Sequence, residues 1–140
     1  MRRAYGSAFG LQTTCLSRVR GDVREQLVQW GRTDIADDAA LVTSELLTNA
    51  RLHGMPPVRL ALTLRGGAGD RDRRLRIEVT DDGPAFNTDL VRARWRHPSA
   101  DLCGGGRGLL LVDALCTGWG DRPLDRGHTV WAELPCGAGR

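Results

Sequence analysis

The chain has 140 residues, 20 basic and 17 acidic side chains and a formal net charge of +3, a length that suits a single domain. No run approaches the ~18 consecutive apolar residues of a membrane helix, and the opening MRRAYGSAFG lacks the apolar centre of a secretory signal, so a cytoplasmic protein with no membrane partner is expected. Every basic residue is arginine, scattered apart from RDRR at 71–74 with few aromatics between, which argues against nucleic acid as a partner.

Residues 3–11 read as a short strand. Thr13 or Thr14 can cap a helix running to about Trp30, with Leu16, Val19, Val23, Leu27 and Trp30 at helical spacing and Gly31 as its stop. A second helix, capped by Thr33 or Asp34, carries Ile35, Ala39, Val42, Leu46 and Ala50 at three- and four-residue steps and ends at His53-Gly54. After Pro56 and Pro57, the segments 58–64 and 75–79 alternate as half-buried strands joined by a polar connection. Residues 83–106 have little period and read as a long functional loop. A glycine run then opens a helix over 109–115, and two short strands, 117–119 and 129–134, flank the turn-rich DRPLDRG. Helices arrive in groups and do not alternate with strands. The order predicts an α/β (α+β) two-layer sandwich, with a mixed, mostly antiparallel sheet of about five strands and three helices on one face.

Three clusters could carry chemistry. Glu45 and Asn49 lie four apart on the second helix, about 40° round from each other, bordering its buried stripe; His53 continues the row. Alone they also fit a solvated helix edge, with Glu45 paired to Arg24 or Arg51. VTDDGPAF places Asp81 and Gly83 at the end of a strand, where the glycine allows close backbone approach to a ligand; an ordinary Asp-Gly turn reads the same way. In CGGGRGLLLV, the glycines before an apolar helix could cradle phosphate at a helix N-terminus, or serve as a hinge. This run is neither a P-loop nor a dinucleotide fingerprint, and without any lysine neither a P-loop lysine nor a Schiff-base lysine is available. Cys15, Cys103, Cys116 and Cys136 have no paired metal spacing and read as reduced thiols; a zinc site of the last three with His128 would need the fold to gather them.

Taken in order, ELLTNARLHG, VTDDGPA, GGGRGLLLV and GHTVWAEL resemble the motifs of the histidine-kinase-like (GHKL, Bergerat-fold) ATPases, over about residues 12–134 of one domain spanning 1–140. The chain looks most like the stand-alone anti-sigma-factor serine/threonine kinases of bacteria. The resemblance implies ATP and Mg²⁺ as cofactors. Glu45 would be the catalytic general base and Asn49 the magnesium ligand, with His53 near the nucleotide. Asp81 would accept a hydrogen bond from the adenine amino group, which guanine cannot donate, beside Gly83 and Ala85. Gly104, Gly105, Gly106, Arg107, Gly108 and Leu109 would close a lid over the phosphates, and Thr129 would sit beside adenine and Asp81. Two residues depart from the pattern: Ala85 stands where a glycine is common, and His128 where a lysine is frequent.

By the same resemblance, the function is a kinase transferring the ATP γ-phosphate to a small anti-sigma-factor antagonist, controlling transcription by partner switching and also holding a sigma factor. Arg18, Arg20 and Arg24 on the first helix offer a partner surface or a plain solvated face. The alternative is a non-catalytic, ATP-dependent protein-binding module. A third reading, ATP hydrolysis driving a dimer clamp as in larger relatives, would call for an extra domain such as those machines use. A homodimer through the first strand and helix is left open by the residues.

Overall fold

The computed structural model describes residues 3–9, 15–66, 73–96 and 106–136. Five strands, β1 (Arg3–Phe9), β2 (Val58–Arg65), β3 (Arg74–Asp81), β4 (Gly118–Pro123) and β5 (His128–Pro135), form one sheet in the order β1-β2-β3-β5-β4. The helices are α1 (Leu16–Gln29), α2 (Ala36–His53), α3 (Thr88–Arg96) and α4 (Gly106–Leu115). α2 lies against β3 and β5, between α1 and α4.

Strand register sets two faces, because successive side chains point to opposite sides of a sheet. Leu60, Val79 and Val130 form one row; Leu62, Ile77, Ala132 and Trp119 form the next; Leu64, Leu75 and Leu134 form a third. All are buried in a single core with Val23 and Leu27 of α1, Val42 and Leu46 of α2, and Leu109 and Val112 of α4. The other face carries Arg76, Glu78, Trp131 and Glu133. There Glu133 accepts from both Arg74 and Arg76 at 3.3 Å, and the Arg76 guanidinium lies 4.5 Å over the Trp131 ring, an attraction that suits an aromatic ring outside the core. The expected two-layer sandwich is thus formed, with every adjacent strand pair antiparallel.

Boundaries moved where short polar contacts outweigh period. Cys15 is the N-cap of α1; Thr13 and Thr14 lie outside the described residues. Thr33 and Asp34 belong to a 3-10 turn, Thr33–Ile35, so Ile35 becomes the N-cap of α2. Asp37 and Asp38 in the first turn of α2, and Arg51 and His53 in its last, complement its dipole. Within the expected loop, Asn87 starts α3: its Oδ1 accepts the Asp89 and Leu90 N–H groups at 2.9 and 3.2 Å. The helix is nine residues long. β4 runs on to Pro123, taking Asp121 out of the predicted turn, and Gly127 at φ +82° closes the hairpin.

Two of the arginines offered as a partner surface are engaged within the chain. Arg20 donates to Ser44 Oγ at 3.1 Å, and Arg24 pairs with Asp37 at 3.0 Å, so Arg24 is not the partner of Glu45. Both tie α1 to α2. The thiols of Cys15, Cys116 and Cys136 are free. Burial pushes Cys116 up to about 12, while Cys15, exposed, is lowered chiefly by its hydrogen bond with the Ser17 hydroxyl. Among the described residues no set of three or more His, Cys, Asp or Glu side chains could hold a metal, so Cys116, His128 and Cys136 are not gathered into one; Cys103 lies outside the described residues. No described helix is long and apolar enough to cross a membrane.

Gly21 lies inside α1 with nothing within 4 Å of the place a Cβ would take. Gly21→Ala should therefore raise stability by about 0.5–1 kcal/mol through backbone entropy alone, read as a higher urea midpoint at unchanged slope.

Candidate functional site

The site is organised by one carboxylate. β3 ends at Asp81, whose side chain is 2% exposed. Such burial is tolerable only when the oxygens are satisfied. Oδ1 accepts the Gly83 N–H at 2.6 Å and the Met55 N–H at 3.2 Å; Oδ2 lies 2.9 Å from His128 Nε2. The chain after α2 is held there by a further bond, Asp82 N–H to the Met55 carbonyl at 2.9 Å.

Glycines make this packing possible. A Cβ on Gly54 would stand 2.5 Å from Asp81 Oδ2, and one on Gly83 would stand 2.8 Å from Oδ1. A Cβ on Gly127 would collide with the Asp81 carbonyl. Gly54 therefore does more than stop a helix: it lets the end of α2 touch the carboxylate. Its signal in the sequence, a glycine after the last helical turn, is shared with any C-cap.

His128 continues the arrangement. Its Nδ1 lies 2.7 Å from Asp121 Oδ1, a side chain with no exposure, and Asp121 Oδ2 accepts the Phe86 N–H at 2.7 Å. The Phe86 ring meets the imidazole edge-on, centroids 6.1 Å apart. In the sequence, His128 stands out only as a departure from the family pattern and a zinc candidate, and Asp121 reads as part of a turn. The register Asp81↔His128, with Asp121 beside Val130, puts all three on the helix-covered face of the sheet.

A cavity of about 300 Å³ opens above this group, the lower end of the range for small-molecule pockets. Asn49, His53, Asp81 and His128 give it a polar side; Phe86, Val91 and Leu109 give it apolar walls, with Pro84 and Ala85 at its edge. The fold thus gathers Asn49, His53, Asp81, Ala85 and Leu109, and Gly83 supports them from behind. Glu45, one turn before Asn49, reaches the first turn of α4: a Cβ on Gly108 would stand 2.5 Å from Glu45 Oε2. Neither Glu45 nor Asn49 has a hydrogen-bond partner among the described residues, so both polar groups are available. Gly106 and Arg107 begin α4; Gly104 and Gly105 lie outside the described residues.

Thr129 is not brought to the cavity. Its Oγ1 lies 2.8 Å from Thr80 Oγ1, one residue out of phase with Asp81 and His128. A one-residue step along a strand reverses the face, so His128 occupies the place expected of Thr129.

The profile of one sequence family, described as the histidine kinase-like ATPase domain, matches residues 12–130. No curated protein matches the chain in sequence. Among solved structures, the histidine kinase domain of the Erythrobacter litoralis EL346 blue-light activated histidine kinase is similar at 20% identity and a TM-score of 0.49, over 89% of this chain and 60% of that one. A structure titled as the Erythrobacter litoralis EL346 blue-light activated histidine kinase gives 23% identity and 0.44, over 89% and 45%. The chain thus spans under two-thirds of either.

Because the packing around Asp81 has no room for a methyl group, Gly54→Ala should cost about 1–3 kcal/mol by overpacking. Denaturant unfolding against Gly21→Ala, whose sign is opposite, checks this.

Proposed function

The chain belongs to the histidine kinase-like ATPase domain family, and on that premise we propose that it is an ATP-binding regulatory protein of the anti-sigma-factor kinase type. The observation that carries the reading is Asp81, a buried carboxylate facing a cavity of small-molecule size. A carboxylate has about four acceptor positions; Gly83, Met55 and His128 take three. The position left on Oδ2 suits the amino group of adenine, between Phe86 and Leu109 as apolar walls for the ring.

The phosphates then extend past Asn49 toward the first turn of α4, where backbone N–H groups favour anions. Asn49 fits a magnesium ion carried by the phosphates, because its amide is uncommitted and this ion accepts one protein ligand among phosphate and water oxygens, offsetting phosphate charge when bound. Glu45 stands a turn away as the base that takes the proton from an attacking serine hydroxyl. The acceptor protein, by this reading, is a small anti-sigma-factor antagonist, and a sigma factor is the regulated partner.

The contact of Glu45 with Gly108 favours a second reading. There the carboxylate is a fixture of the α2–α4 junction, and ATP serves as a structural ligand that sets affinity for a partner without phosphotransfer.

Asp81→Asn should weaken ATP binding about 10- to 100-fold, the worth of one charge-assisted hydrogen bond at ~1.5–3 kcal/mol, with circular dichroism confirming the fold. Unchanged affinity would place the base elsewhere. Glu45→Ala separates the two readings: with labelled ATP and a candidate antagonist, the kinase reading expects phosphoserine from wild type, none from the variant, and ATP affinity within about threefold of wild type. A wild type that captures the antagonist in an ATP-dependent way and forms no phosphoserine supports the binding module.

A further inference from the structure

Among the described residues, the imidazole of His128 joins Asp81 to Asp121, and the reading above uses it only to occupy one acceptor position of Asp81. It is 4% exposed and lines the cavity, and both ring nitrogens are engaged, by Asp81 at 2.9 Å and Asp121 at 2.7 Å. Asp121 in turn holds the Phe86 N–H at 2.7 Å. Phe86 precedes Asn87, the cap of α3, and both Phe86 and Val91 of α3 wall the cavity. A chain of short contacts therefore runs from the acceptor on one side of the cavity to the apolar wall on the other.

We propose that His128 is a positioning residue that determines purine selectivity, by fixing which acceptor position of Asp81 faces the ligand and by joining that acceptor through Asp121 to the Phe86 wall. This deepens the adenine reading above and rests on it. Oδ1 is saturated by two backbone N–H groups, so selectivity depends on Oδ2. Asp81 lines the cavity, and His128 lies against that oxygen at 2.9 Å. A 6-amino purine can donate to it. A 6-oxo purine presents a carbonyl there and meets a second acceptor, with no ring nitrogen of His128 free to compensate. The strand register makes the geometry stiff, since Asp81 and His128 are directly opposed on β3 and β5, and Asp121 lies on β4 beside Val130.

Two substitutions cut the chain at different ends. In His128→Gln the amide stands near the place of Nε2, keeping the contact to Asp81 and losing that to Asp121. His128→Asn has its amide near Nδ1 and does the converse. Dissociation constants for ATP and inosine triphosphate, with fold checked by circular dichroism, give the first readout; amide hydrogen exchange at Phe86, which needs no ligand, gives the second. In His128→Asn the preference for ATP over inosine triphosphate should fall about tenfold or more, the scale of one hydrogen bond to a charged group, with Phe86 still protected. In His128→Gln the preference should stay within about threefold while Phe86 protection falls about tenfold or more. A wild-type preference retained in folded His128→Asn overturns the proposal, as does equal loss of both readouts in the two variants, which marks a merely structural residue. If His128→Asn does not fold, Phe86 protection left intact in His128→Gln overturns it. A wild type that binds neither nucleotide sinks the adenine reading itself, and the proposal with it; wild-type binding of ATP with an unchanged ratio in His128→Asn sinks the proposal alone.

Discussion

A charged carboxylate that is almost wholly withdrawn from water must be satisfied by fixed donors, and the Asp81 side chain imposes this condition on four separate stretches of chain. The loop after β3 supplies the Gly83 N–H, the segment after α2 supplies the Met55 N–H, β5 supplies His128, and β4 contributes Asp121 behind it. Leaving such a group unpaired would cost several kcal/mol, so these segments are held together wherever Asp81 is buried. The cavity exists because they meet there.

The same condition explains where glycine is required. Gly54 and Gly83 bring backbone within van der Waals distance of the carboxylate, and Gly127 brings the β4–β5 hairpin against the Asp81 carbonyl. Side chains at these places would push the donors out of range. Both donors to Asp81 Oδ1 are therefore main-chain N–H groups, a rigid way to hold one carboxylate.

Beside this network, α2 and α4 supply the helical part of the cavity wall. α2 presents Asn49 to the cavity and Glu45 to the first turn of α4, and α4 is anchored by Leu109 and Val112 in the core. α3 is fastened by Arg92, which lies 4.7 Å over Trp119 and 3.6 Å from Asp113, while Trp119 Nε1 donates to Asp113 at 2.8 Å. In the proposed reading, base recognition belongs to the sheet and its loops, and phosphate chemistry to the helix ends.

The two layers, the helical stripes of α1 and α2, and the motif series that brings Asn49, Asp81 and Leu109 to one cavity are legible in the chain alone, because apolar period and turn chemistry are local properties. Its reach ended where a residue's meaning depends on a partner distant in the chain. Thr129 and His128 are neighbours, and only the pairing of β3 with β5 decides which of them faces Asp81. Asp121 reads as a turn residue until β4 is seen to extend under β5, and Gly54 reads as a helix stop until Asp81 is seen against it. α3 is only nine residues long, and its start is set by the Asn87 cap and its docking by Arg92. Register, burial and close approach are set between elements, and tertiary structure alone decided them.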